Sequence, residues 1–357
     1  MKKQLLFLLL LTFTTLFAQQ PYYNDVDLTL TGNALRDELA TKIISTHTNN
    51  LSYSEARECL KIVDLEPGQN QNVLLIYGFS PNICPNGSSD DNDHRRRNKN
   101  DFGGSANCEW NREHTFAKSL GNPNLGTSGP GADAHHLRAA DVQRNSQRGS
   151  KKFASGSGNS GVVNGSYWYP GDEWKGDIAR MMMYMYLRYG SQCYPTLVGT
   201  GATVSTDSHM LQLFLQWNAE DPVSQYEMNR NNYLENTSNQ YGQGNRNPFI
   251  DDPYLATRMW GGPTAEDTWG IYLAVNEVNL TTMIKLFPKP TNDILNIEIS
   301  NTSLELQKVE IFGITGRAII SKETNLNSIN VSTLNEGVYF VKITSDKGIL
   351  VEKMIKK

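Results

Sequence analysis

Residues 108–119, CEWNREHTFAKS, and residues 133–153, DAHHLRAADVQRNSQRGSKKF, decide how this chain is read. The first run predicts a short strand over Trp110–His114 that ends on an acid–imidazole pair, Glu113 and His114. The second has helical composition from Leu137 to Arg148 and places Asn145 inside or near the end of that helix. A carboxylate, an imidazole and an amide oxygen form the set that one-cation phosphodiester hydrolysis requires. Hard oxygens suit Mg²⁺ or Ca²⁺, and a neutral histidine can take a proton from water. Neighbouring side chains of a strand point to opposite faces. Glu113 and His114 therefore serve one site only where the strand bulges or ends.

Upstream, Leu35, Leu39, Ile43 and Ile44 share one face of a helix expected over Asn33–Thr48, and a second helix is expected over Ser52–Val63, with Ser52 or Ser54 near its start. Asn72–Gly78 is a short β-prone run, and Pro81–Asp101 a long polar loop. Downstream, Lys175–Tyr189 reads as a strongly apolar helix whose methionines and aromatics belong to a core. A helix is expected over His209–Tyr226, with helical character continuing through Pro222–Leu234. Composition changes near Asn276–Pro290. Beyond it, β-branched runs at Ile294–Ile299, Val309–Ile314, Arg317–Ile320, Ser328–Val331, Val338–Ile343 and Ile349–Met354 alternate with turn residues, which indicates a small β-sandwich.

The chain has 357 residues and a formal net charge of −4. That balance argues against gripping nucleic acid by a global field. Charge is locally uneven, however. Arg95, Arg96, Arg97 and Lys99 form one cluster; Arg138, Arg144, Arg148, Lys151 and Lys152 form another that overlaps the Glu113–His114–Asn145 set. Two lysines, an apolar run from Leu5 to Leu11 and Ala18 mark residues 1–18 as a secretory signal peptide, too short in its apolar part for a span. Four cysteines in an exported chain (Cys59, Cys84, Cys108 and Cys193) favour two disulfides with pairing open, Cys108 being expected to take part.

The ordered pieces EWNREHTFAKSLG, DAHHLRAADVQRNSQRGSKKF, KGDIARMMMYM and QWNAEDPVSQYEMNRN…GNRNPFID resemble the secreted endonuclease I family of the ββα-metal (His-Me finger) superfamily. The resemblance implies an α+β fold: a helix-rich nuclease domain with a ββα-metal core over residues 19–280. It implies His114 as general base, Glu113 and Asn145 as metal ligands, and Arg148 as a phosphate-contacting catalytic arginine. Asp133 and His135 would support the site; on the charge pattern, Arg138, Arg144, Lys151 and Lys152 would meet nucleic acid. The expected cofactor is Mg²⁺, with Ca²⁺ or Mn²⁺ as alternatives. The chain departs from the family at Arg138, at His136, where asparagine is usual, and at Ala139, where proline is usual. Adjacent His135 and His136 could be zinc ligands, but no further His or Cys stands at ligand spacing, and hydrogen bonding within the fold is the expected role of His135.

The tail, with FPKPTND, IFGITGR and LNEGVYFVKI, resembles the type A sorting domain of the type IX secretion system over residues 284–357, an all-β Ig-like sandwich. It implies export through the periplasm to the cell surface or medium, with the secretion machinery as partner. The expected product is a monomeric secreted endonuclease hydrolysing DNA, and RNA as well, to 5′-phosphate ends. The rival from another class is a catalytically silent surface-binding module on a nuclease-like fold; a metallopeptidase is disfavoured because no His-Glu-x-x-His run occurs.

Overall fold

The computed structural model describes residues 21–79, 94–104, 108–272, 280–300, 304–314, 316–346 and 348–357. The expected signal peptide lies outside them. The chain divides into two compact units, Met1–Gly270 and Ile271–Lys357.

The first unit opens with α1 (Gly32–Thr46) and α2 (Tyr53–Val63). Ser52 and Glu55 form a reciprocal capping box that fixes where α2 begins. Strands β1 (Asn72–Leu74) and β2 (Arg96–Asn98) pair antiparallel, so part of the expected polar loop is strand. Then come β3 (Trp110–His114), β4 (Leu137–Asp141) and α3 (Val142–Arg148). A small hairpin, β5 (Gly161–Val163) with β6 (Tyr167–Tyr169), precedes α4 (Lys175–Tyr189). Twelve of the residues of α4, Gly176–Leu187, are buried; most are apolar, and the charged Asp177 and Arg180 among them are paired with Arg138 and Glu227. The short α5 (Pro195–Val198) leads to β7 (Thr203–Val204), β8 (Asp207–Leu211) and α6 (Gln212–Glu220). The helix expected from His209 therefore starts at Gln212, since His209–Leu211 pair with β7. The helix α7 (Gln225–Glu235) is separate, restarted by the capping box of Ser224 and Glu227; α8 (Pro248–Asp251) and α9 (Tyr254–Trp260) close the unit.

Cys59 and Cys193 are buried free thiols. The expectation of two disulfides fails at these two positions: Cys59 is packed in an apolar cluster with Ala56, Leu60 and Val63, and Cys193 is buried without a bridge. Cys108 is disulfide-bonded, and Cys84 lies outside the described residues.

Among its described residues the second unit has α10 (Leu280–Met283) and seven antiparallel strands in two sheets. Three of them, β9 (Ile284–Phe287), β10 (Ile294–Ile299) and β13 (Ser328–Asn330), form one sheet in the order β13-β10-β9. The others, β11 (Leu306–Gly313), β12 (Ala318–Lys322), β14 (Gly337–Ser345) and β15 (Gly348–Lys356), form the second in the order β12-β11-β14-β15. Alternate residues such as Leu295, Ile297, Val309, Ile311, Val341 and Ile343 supply a single apolar core.

Candidate active site

Strands β3 and β4 pair in unbroken register from Trp110↔Asp141 to His114↔Leu137, and α3 follows β4 without a loop. Asp141 caps α3 by accepting from the Arg144 N–H at 2.8 Å. The helix expected over Leu137–Arg148 is thus half strand. All five residues of β4 are buried, and a strand covered on both faces has no alternation to separate it from helix by sequence. Pairing with β3, and a bridge from Ala140 to Ile76, decide the matter.

On the side of the hairpin that faces α3 stand Asn111 and Glu113. The Glu113 carboxylate is buried. Its Oε1 accepts from the Tyr77 hydroxyl at 2.8 Å and lies 3.2 Å from Arg148 Nη1. Burial raises its pKa, and Arg148 and Tyr77 pull it back. Tyr77 holds this position with φ 72°, a conformation seldom adopted by a bulky residue. The half-buried Asn145 on α3 donates from Nδ2 to Asn111 Oδ1 at 2.7 Å and to the Arg112 carbonyl at 3.4 Å. Two acceptors at the nitrogen end turn Asn145 Oδ1 away from the strand. Neither Glu113 Oε2 nor Asn145 Oδ1 accepts a hydrogen bond from the described residues. One carboxylate oxygen and one amide oxygen, each held by its other end, fit a hard divalent cation. Among the described residues no group of three or more His, Cys, Asp or Glu stands at metal-ligand spacing, so the mixed pair is the donor set to consider.

His114 is the last residue of β3 and makes different contacts. Its Nε2 lies 2.9 Å from the carbonyl of Gly131. A carbonyl only accepts, so Nε2 carries the hydrogen and Nδ1 keeps a lone pair. The ring stacks on Tyr53 at 5.6 Å and 26°, and lies 5.6 Å from the ring of His136. Burial, reinforced by His136, pushes its pKa down to about 3. The strand shows no bulge here, and His114 is its last paired residue. Arg148 ties the two residues together: it pairs with Glu113 and donates from Nη1 to the His114 carbonyl at 3.1 Å.

Behind this surface Asp133 is a buried hub. It accepts from Tyr184 and Tyr189 hydroxyls, both at 2.8 Å, from Gln243 Nε2 at 3.0 Å and from the His135 N–H at 2.9 Å. Burial pushes this carboxyl up, but His47, His135 and His136 outweigh it and hold the pKa far below the usual range. His135 bonds the Asn245 carbonyl at 3.1 Å and packs on Tyr184; His136 bonds the Pro130 carbonyl at 2.7 Å. The two adjacent histidines therefore diverge to separate carbonyls.

The basic cluster is less of a surface than the sequence suggests. Arg138 is 1% exposed and pairs with Asp177 at 3.1 Å and with Tyr226 and Asp64, a correction to its expected role on nucleic acid. Its place opposite Glu113 in a strand buried on both faces turns it inward. Arg144 is likewise buried, bonded to Gln147 at 2.7 Å and to Ser160. Arg148 is 1% exposed and spans Glu113 and the carbonyls of His114 and Thr115, so it braces the site rather than facing solvent. Lys151 and Lys152 bond the carbonyls of Gln147 and Thr196. Tyr77, Gly131 and Asn111 carried no sequence signal of a site role; Tyr77 sits in an apolar run, and Gly131 acts through its backbone.

Residues 31–254 match the Endonuclease I family, and residues 285–357 match the secretion system C-terminal sorting domain. The chain is 42% identical over 239 residues to an extracellular ribonuclease of Bacillus amyloliquefaciens, covering 64% of this chain and 74% of that protein. It is also 42% identical over 243 residues to an extracellular ribonuclease of Bacillus subtilis (strain 168), covering 64% and 75%. With a strand pair and helix presenting Glu113, His114 and Asn145, and a family match across most of the first unit, the chain belongs to the Endonuclease I family and is a secreted nuclease, a phosphodiester hydrolase.

Proposed function

We propose that this nuclease is a metal-dependent, sequence-tolerant endonuclease that cleaves the P–O3′ bonds of RNA and DNA and leaves 5′-phosphates. The observation that carries the reading is the fixed tautomer of His114: with Nε2 tied to Gly131, Nδ1 is the acceptor that takes a proton from the attacking water. Glu113 Oε2 and Asn145 Oδ1 would hold one divalent cation, Mg²⁺ in the first instance. When bound, such a cation neutralises charge on the phosphate and on the departing oxygen. Arg148 and Tyr77 keep the Glu113 carboxylate in place from behind. Asp133 and His135 stiffen the layer beneath. The extracellular ribonucleases of Bacillus support RNA as a substrate; DNA carries the same kind of phosphodiester bond and is proposed as a second substrate. The tail would engage the type IX secretion machinery, and the working form would be a monomer.

The test is one gel series. Plasmid DNA and a long RNA are incubated with the purified chain in Mg²⁺, then in EDTA. Cleavage of both only with the cation is expected, and His114→Ala should reduce it by about 10³-fold or more while leaving the circular dichroism unchanged. Undiminished cleavage by His114→Ala, or in EDTA, overturns the mechanism.

A further inference from the structure

Most buried arginines of the first unit are matched by an acid, which sets off Arg112. Arg97, Arg138, Arg148, Arg180 and Arg246 each face a carboxylate at 2.5 to 3.2 Å, and Arg230 pairs with Asp64, whereas Arg144 is enclosed by the neutral oxygens of Gln147 and Ser160. Arg112 is half-buried and pairs with no carboxylate among the described residues. Its hydrogen-bond partner is the Tyr53 carbonyl, taken from Nη1. Its guanidinium lies 3.5 Å from the centre of the Tyr53 ring and 5.4 Å from that of Phe102. Burial lowers its pKa, and Arg57 lowers it further. A guanidinium that is partly withdrawn from water without a counter-charge is costly unless an anion completes it.

Arg112 also stands where an anion would matter. It is two residues before His114 on a strand, so both side chains leave the same face, roughly 7 Å apart along the backbone. Tyr53 touches both: it stacks on His114 at 5.6 Å and carries Arg112 on its face. One ring therefore sets the spacing between imidazole and guanidinium. The planar fork of arginine matches phosphate oxygens bidentately, and a guanidinium already stacked on an aromatic loses little freedom on binding. The half-buried Phe102, with Arg57 5.2 Å from its ring, lies on the outer side of the same cluster.

We propose that Arg112, held flat on Tyr53, is the phosphate clamp of this nuclease, gripping the backbone phosphate that sits beside His114. The role deepens the nuclease reading and rests on it. A phosphate gripped here would be held within reach of His114 Nδ1. Neither Arg112 nor Tyr53 would read the base, in keeping with a sequence-tolerant enzyme.

The experiment uses the full chain and a fluorescein-labelled single-stranded oligonucleotide of mixed sequence, with binding followed by anisotropy in EDTA across a NaCl series, beside cleavage kinetics in Mg²⁺. For Arg112→Gln we expect about tenfold weaker binding at 0.1 M salt and a log–log salt slope shallower by about 0.7, the signature of one lost phosphate contact on a single strand. Arg112→Lys should keep the slope but raise KM more than it lowers kcat, because the charge survives and the fork does not. Thermal melting checks the fold of each. If Arg112→Gln proves unfolded, the lysine variant decides: an unchanged KM overturns the clamp. If Arg112→Gln folds and shows the wild-type slope and KM, the clamp is likewise overturned while the nuclease reading stands. A wild-type chain that cleaves neither nucleic acid overturns the nuclease reading itself.

Discussion

At the scale of single residues, the site rests on which atoms are already committed. Glu113 spends Oε1 on Tyr77 and Arg148, Asn145 spends Nδ2 on the strand, and His114 spends Nε2 on Gly131. What remains are one carboxylate oxygen, one amide oxygen and one imidazole lone pair. The same burial that fixes these groups makes the domain sensitive to acid. His135 and His136 are both pushed down to about 4 by burial, whereas an unfolded histidine titrates near 6.5. Between about pH 6.5 and 4 the unfolded chain binds protons that the folded chain refuses. Stability must therefore fall as pH falls through that window, by up to about 1.4 kcal/mol per pH unit for each ring. Thermal unfolding at pH 7, 6 and 5 should show a steadily dropping midpoint, and His136→Asn should flatten the trend. A midpoint that does not move would mean that these rings are protonated in the folded state. Glu113, His114 and Asn145 stood out in the sequence by residue type and order. No such sign marked Tyr77, whose contribution is one hydroxyl at an unusual φ, or the aromatic seat under Arg112.

At the scale of elements, two short pieces carry more than their length suggests. The single 3₁₀ turn Gly129–Ala132 offers the Pro130 carbonyl to His136 and the Gly131 carbonyl to His114. A Cβ at position 131 would stand 2.1 Å from the Gly126 carbonyl oxygen, so only glycine fits. Gly131→Ala must push the turn outward; we expect cleavage to drop by about tenfold or more, with a stability loss of about 1–3 kcal/mol, measured by turnover and by urea unfolding. Strand β4 is the other piece. Arg138, read from sequence as a nucleic-acid contact, is enclosed with Asp177, Asp64 and Tyr226. Arg138→Ala should cost about 3–5 kcal/mol by leaving acids buried without their partner, and it should leave the salt dependence of nucleic-acid binding as it was. A variant of wild-type stability with a shallower salt slope would restore the surface role. Helix α2 was legible from its apolar periodicity, α1 from the few apolar residues Leu35, Leu39 and Ile43 that share a face, α4 from its length and apolar content, and the strands of the second unit because turn residues punctuate them. The strand–helix change at Asp141 was not, since five fully buried residues look alike in either state.

At the scale of the whole molecule, two units with separate cores divide the labour: chemistry over residues 31–254 and a sorting module over residues 285–357. The division was visible as a change of composition, because the two cores are built on different periods. What the sequence misjudged was two of the four cysteines: Cys108 is bridged as expected, but Cys59 and Cys193 are free, since spacing along a chain does not show which sulfurs meet. That outcome has a use. Cys59 and Cys193 are each 0% exposed, and burial pushes the Cys59 thiol up to about 12 and that of Cys193 higher still. Neither sulfur is a thiolate in the native chain, and no reagent reaches it without an opening of the structure. The protein thus carries two built-in clocks, one on α2 and one just beyond α4. Incubated with excess iodoacetamide, the native chain should be alkylated at Cys59 and Cys193 only at the rate at which each region opens. Mass spectrometry of the two peptides over hours would then return two local opening free energies from an unaltered sequence. Labelling within minutes at neutral pH would show that the interior around α2 and α4 breathes far more freely than its packing implies.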